Sequence, residues 1–221
     1  MAPRRKRDEA VASSLKTVSF PGPAGRLEGL WKEASGPPRG SAVFAHPHPL
    51  HGGTLHNKVV YRAAQALTAA GYATLRFNFR GVGQSEGRHD QGRGEVGDFR
   101  AALDSAANRG GLPLVAGGFS FGSEAALRAA SGDDRVAALI AVGLPLATRR
   151  GTDLPRPRVA ALFVTGERDT FGPPALLLDF VGDSGKVVIV PGADHFLEGK
   201  LADLEDAIRQ FLAALPVALR S

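Results

Sequence analysis

The sequence predicts an α/β domain built on a mostly parallel, doubly wound sheet with an antiparallel start. Three observations carry this. From Ser41 onward, strand patterns and helix patterns alternate along the chain. Val136–Val142 and Val159–Thr165 are apolar at nearly every position, so both faces of these strands need cover, which intervening helices provide. Before Ser41, Leu15–Phe20 and Arg26–Trp31 flank the turn signal Pro21-Gly22-Pro23-Ala24-Gly25, the pattern of two paired antiparallel strands.

The remaining elements follow in order. Ser41–Ala45 is a short apolar strand, and Lys58–Ala70 is a helix stopped by Gly71. Tyr72–Phe77 is a strand leading into the glycine-rich loop Arg80–Gly87. Glu95–Arg109 carries Val96, Phe99, Leu103 and Ala106 on one helical face. Pro113–Gly117 is a strand and Phe121–Ala130 a helix. The segment Arg149–Arg158, rich in proline and arginine, reads as a loop between Val136–Val142 and Val159–Thr165. Pro174–Phe180 is a helix, Lys186–Val190 a strand, and Leu201–Leu215 a final amphipathic helix.

A chain of 221 residues is long enough for one domain with a substantial core. That domain is expected over residues 15–221, behind a basic tail over residues 1–14. The net charge is +5 and the tail contributes Arg4-Arg5-Lys6-Arg7 to it, with Asp8 and Glu9 close behind. No aromatic residues interleave with these charges, so a solvated tail is expected and no nucleic-acid partner. No run approaches the roughly 20 apolar residues of a membrane span, and no apolar signal segment follows the basic start. A cytoplasmic protein is the expectation. Cysteine is absent, which excludes disulfides, thiolate metal sites and a cysteine nucleophile.

In a sheet of this kind, ligands bind beyond the carboxyl ends of the strands, and the chemistry-bearing motifs sit there. Gly118-Phe119-Ser120-Phe121-Gly122 lies between a strand and a helix. A serine in such a tight turn is held in a strained conformation that presents its hydroxyl over the sheet edge. A hydroxyl becomes a nucleophile when a base takes its proton, and His195 follows the last strand, at the same edge. The imidazole in turn needs a carboxylate to fix its tautomer. Asp169, after Val159–Thr165, is the choice; Glu167 and Asp194 are its rivals. Asp194 neighbours His195 in the chain, where adjacent side chains in an extended loop point apart.

An acyl-transfer site also needs N–H groups aimed at the developing oxyanion. The residue after the nucleophile, Phe121, supplies one through its main chain. The other is expected from His46-Pro47-His48-Pro49 after Ser41–Ala45. The prolines have no N–H to give, which leaves His48.

Together, Phe44-Ala45-His46-Pro47-His48-Pro49, Gly52-Gly53-Thr54, His56-Asn57-Lys58-Val59-Val60, the run Arg76 to Gly87 and Gly118 to Gly122 resemble the small, capless bacterial α/β-hydrolases related to dienelactone hydrolases and carboxylesterases. The resemblance covers about Leu15 to Leu215. It implies the α/β-hydrolase fold, a triad in the order Ser120, Asp169, His195, and no cofactor. Dienelactone hydrolases use a cysteine nucleophile, which this chain lacks, so ordinary ester hydrolysis fits better than dienelactone as substrate. Only Gly143–Arg158 joins two strands where many such enzymes insert a lid. An open site for a small-molecule ester is therefore expected, with short acyl chains preferred. Phe119, Phe121, Leu144, Leu146 and Phe171 are its expected apolar walls. Thioesters, lactones and amides would suit the same triad.

Two other function classes compete. His46, His48 and His51 have the spacing H-x-H-x-x-H, which histidine-ligated zinc hydrolases also show. Leu50 stands where those enzymes carry an aspartate, and the strand–helix alternation is foreign to them, so no metal is expected. A binding protein that keeps the fold without turnover is the other. The complete set of nucleophile, base and acid at matching strand exits argues against it.

Overall fold

The structure is a computed structural model and describes residues 15–148 and 154–215. The basic tail at 1–14, part of the Arg149–Arg158 loop and the end of the expected domain at 216–221 lie outside the described residues. Eight strands form one sheet: β1 (Leu15–Gly22), β2 (Gly25–Lys32), β3 (Gly40–Ala45), β4 (Tyr72–Phe77), β5 (Leu114–Phe119), β6 (Val136–Val142), β7 (Ala160–Gly166) and β8 (Lys186–Val190). Their order across the sheet is β1-β2-β4-β3-β5-β6-β7-β8. The β1–β2 and β2–β4 pairs are antiparallel and every later pair is parallel. This is the α/β-hydrolase architecture expected from the sequence.

Five helices cover the sheet: α1 (Lys58–Ala69), α2 (Arg93–Gly110), α3 (Phe121–Ala130), α4 (Pro174–Val181) and α5 (Leu201–Ala214). Helices α2, α3 and α4 bury their apolar stripes, including Phe99, Leu103 and Leu177, on one face. Helices α1 and α5 cover the other with Val60, Leu67, Ile208 and Phe211. Strand residues alternate between the two layers. In β3, Val43 and Ala45 join the first core while Ala42 and Phe44 join the second, as a side-chain period of two demands.

Local chemistry sets the boundaries. Helix α1 begins where the Asn57 side chain accepts the N–H groups of Val59 and Val60, a capped start. Helix α2 begins two residues before the expected Glu95. The buried Glu95 carboxylate reaches back to accept from the N–H groups of Asp90 and Gly92, which draws the preceding turn into the helix. The loop after β4 is tied down by Arg80, whose guanidinium makes a two-pronged ion pair with Asp98 on α2. Strand β5 runs to Phe119, two residues beyond the expected Gly117, so Ser120 is the first residue to leave the sheet.

Candidate active site

Five strand exits meet at the carboxyl edge of the sheet: those of β3, β5, β6, β7 and β8. Ser120 leaves β5 with φ 53° and ψ −120°. This left-handed backbone is costly for a residue with a side chain. The surroundings hold it there. The Ser120 N–H donates to Val142 O at 2.8 Å, and its carbonyl accepts from Ser123 N at 2.9 Å. The turn closes so tightly that a Cβ on Gly118 would stand 2.3 Å from the Gly122 backbone. One on Gly122 would stand 2.6 Å from the carbonyl oxygens of Ala45 and His46. Both positions therefore need glycine, and the second presses the start of α3 against the exit of β3.

The Ser120 hydroxyl donates to His195 Nε2 at 3.0 Å. His195 Nδ1 in turn donates to Asp169 Oδ2 at 2.8 Å. Asp169 Oδ1 accepts from the N–H groups of Phe171 (2.9 Å) and Gly172 (2.8 Å). Burial alone would raise the Asp169 pKa. The hydrogen bond from His195, with those from Gly172 and Phe171, outweighs it and holds the carboxyl below its usual value. The two rival carboxylates are engaged elsewhere. Glu167 accepts from Gly192 N, and Asp194 accepts from the N–H groups of Phe196 and Glu198.

Three aromatic rings surround the His195 imidazole: Phe171 at 4.7 Å, Phe119 at 5.0 Å and Phe196 at 5.3 Å between ring centroids. Beside it opens a cavity of about 380 Å³, lined by Ser120, Phe121, His48, His51, Asn57, Pro145, Thr148, Phe171, His195 and Phe196, among others. A volume of that order suits a small ligand. Phe121 is the first residue of α3, so its N–H has no carbonyl partner within the helix. His48 shares the cavity wall, its ring 5.1 Å from that of Phe121.

Three of the expected wall residues are elsewhere. Phe119 is fully buried and packs in the α1/α5 core, because the alternation of β5 turns it under the sheet edge, where it braces the imidazole. Leu144 is buried in the opposite core and Leu146 packs against that core. Pro145, between them, is the residue that faces the cavity. Phe171 and Phe121 do line it. Phe196, His51, Asn57 and Thr148 were not among the expected wall residues. Thr165 was also missed; its Oγ1 lies 2.8 Å from Gly172 O and 3.2 Å from Asp169 Oδ2. A hydroxyl closing an otherwise apolar strand was the available signal.

The histidine triplet does not converge as ligands. His46 is fully buried, and its Nδ1 donates to Pro47 O at 2.7 Å while its Nε2 accepts from Phe79 N at 3.1 Å. Both ring nitrogens are thus committed to the backbone, bridging the exits of β3 and β4. Burial pushes its pKa down to about 4, against a smaller raising effect of the bond to Pro47. His48 stacks on His51 with ring centroids 4.4 Å apart. Among the described residues, no helix is long and apolar enough to cross a membrane.

Comparison with known proteins bears on the family and the fold. Residues 39–212 match the family described as alpha/beta hydrolase domain. A protein of Rickettsia prowazekii, described as uncharacterised, is 34% identical over 215 residues, covering 91% of this chain and 90% of its own. Among solved structures, an alpha-beta serine hydrolase homologue from Coxiella burnetii shares 35% identity with a TM-score of 0.82, covering 88% of this chain and 96% of its own. A serine hydrolase without a lid from Xanthomonas campestris shares 30% identity with a TM-score of 0.84, covering 95% of this chain and all of its own (100%).

Proposed function

The chain belongs to the alpha/beta hydrolase domain family, and on that premise we propose that it is a serine esterase acting on small carboxylic esters through an acyl-enzyme. The observation that carries the reading is the unbroken relay from Ser120 Oγ through His195 to Asp169, at 3.0 and 2.8 Å.

Ser120 Oγ attacks the ester carbonyl as its proton passes to His195 Nε2, and Asp169 steadies the resulting imidazolium. The oxyanion that forms is met by the main-chain N–H of Phe121, at the positive end of α3, and by that of His48. His195 then gives its proton to the departing alcohol. Water enters, loses a proton to His195 and attacks the acyl-enzyme by the reverse path, releasing the acid and freeing Ser120. No step calls for a metal or an organic cofactor.

The cavity supports small acyl groups: it holds about 380 Å³, and Phe121, Phe171, Phe196 and Pro145 give it apolar faces. Thioesters, lactones and amides present the same carbonyl to the same relay; amides are the least favoured, because an amine leaves less readily than an alcohol or a thiol.

A fluorophosphonate probe tests the reading. The protein should label with one equivalent of probe, and labelling and nitrophenyl acetate turnover should both vanish in Ser120→Ala while the circular dichroism spectrum is kept. Labelling that survives Ser120→Ala would overturn it.

A further inference from the structure

Arg76 and Arg80 lie four residues apart around the exit of β4, and both guanidinium-bearing side chains are buried, Arg76 to 6% exposure. Arg80 has the Asp98 carboxylate for a partner. Arg76 has none among the described residues. Its Nη1 donates to Leu55 O at 2.9 Å, and its guanidinium carbon stands 5.4 Å from the centre of the Tyr61 ring. One carbonyl and one aromatic face are thin compensation for a charge taken out of water.

Arg76 opens instead onto a separate cavity of about 200 Å³ between β2, β4 and α1, which shares no lining residue with the catalytic one. Lys32 lines it too, its Nζ donating to Gln65 Oε1. Gln65 Nε2 donates to the Tyr61 hydroxyl at 2.9 Å, so the hydroxyl's own hydrogen is left to donate elsewhere. No carboxylate lines the cavity. Leu15 and Ala64 give it an apolar side.

We infer that this cavity is a binding site for a phosphate group, held between the Arg76 guanidinium and the Lys32 ammonium with the Tyr61 hydroxyl as third donor. Two positive charges match a phosphate dianion, and a guanidinium fork matches its oxygens. Burial lowers the Arg76 pKa from its ordinary value, with Tyr61 acting weakly the other way; a bound anion would oppose that shift. Arg76 also holds the segment that carries part of the catalytic wall. Leu55, whose carbonyl Arg76 holds, has its N–H bound to Asn78 Oδ1 at 2.8 Å. It lies between His51 and Asn57, which line the catalytic wall.

Isothermal titration calorimetry of the full chain at fixed ionic strength tests this with inorganic phosphate, phenyl phosphate and acetate. Phosphate or its ester should bind saturably at one site, more tightly than the singly charged acetate, and equally well in Ser120→Ala. The tighter of the two phosphate ligands tells whether the natural occupant is the free ion or a phosphomonoester. Lys32→Gln should weaken binding about tenfold or more, and Arg76→Gln should abolish it. If Arg76→Gln does not fold, Lys32→Gln decides alone. No saturable binding of either phosphate ligand, tighter binding of acetate, or unchanged affinity in Lys32→Gln would overturn the site.

Discussion

Asp169 Oδ2 and His195 Nδ1 stand 2.8 Å apart across the loops that follow β7 and β8. The carboxylate is fixed from behind by two backbone N–H groups, so it dictates which imidazole nitrogen carries the proton. In Asp169→Asn the amide would keep the contact but present a donor where an acceptor is needed. The tautomer would then reverse, leaving Nε2 protonated and unable to take the Ser120 hydrogen. Turnover of nitrophenyl acetate should fall on the order of 10⁴-fold, with little change in thermal midpoint. A loss under tenfold would remove Asp169 from the relay.

Gly122 bears on geometry rather than chemistry. A methyl there meets the Ala45 and His46 carbonyl oxygens at 2.6 Å, and both belong to the backbone that leads to His48. Gly122→Ala should cost about 1–3 kcal/mol in stability, as overpacking does, and should depress kcat more than it raises KM, because the second oxyanion donor is displaced. Denaturant titration and steady-state kinetics on one preparation would show both effects. An unchanged kcat would mean that the β3 exit does not help to form the oxyanion site.

Phe171 and Phe196 are both exposed, at 44% and 57%, on the cavity wall. Exposed aromatic rings at a cavity mouth gain by covering a ligand. A butyrate nitrophenyl ester should be cleaved faster than a dodecanoate. Phe171→Ala should raise KM for the butyrate roughly 5- to 30-fold, the effect of about 1–2 kcal/mol of apolar contact. Faster cleavage of the dodecanoate by the parent enzyme would contradict the short-chain reading.

His46 predicts an acid limit to stability. Its folded pKa of about 4 lies below the ordinary 6.5, so between those values the unfolded chain binds a proton that the folded chain refuses. The contribution of a neutral His46 is thus complete above about pH 6.5 and is lost as pH falls toward 4, at up to about 1.4 kcal/mol per pH unit. The depressed carboxyl of Asp169 works in the same direction but in a lower window, beneath the usual carboxylate range. His46→Gln should be less stable at pH 7.5 and show a shallower decline of thermal midpoint between pH 6.5 and 4. Parallel curves for the two proteins would refute the assignment.

The frame of the molecule was legible because it rests on periodicity. Helix α3 and strands β4, β6 and β8 begin and end where alternation and glycine stops predict, and the motif residues lie at strand exits because strands and helices alternate. The cavity wall was not legible in the same way. Phe119, Leu144 and Leu146 are apolar and adjacent to functional positions, yet each turns into a core, and parity decides this. One residue of shift exchanges Leu144 for Pro145 as the side chain facing substrate. His51, Asn57 and Thr148 sit in turns closed by local hydrogen bonds; what no local pattern records is that these turns face one cavity, which the meeting of distant strand exits decides. Thr165 could have been noticed as the hydroxyl at the end of a hydrocarbon strand.

The left-handed backbone of Ser120 sets durability against reactivity at a single position. Glycine would relax that turn, for a strain of about 1–3 kcal/mol, and would leave the rest of the scaffold standing. A polypeptide shaped only to persist would carry glycine at residue 120. A side chain bearing oxygen there is a standing expense that a reaction at the sheet edge accounts for, and it puts a strained piece of backbone where the chemistry needs it.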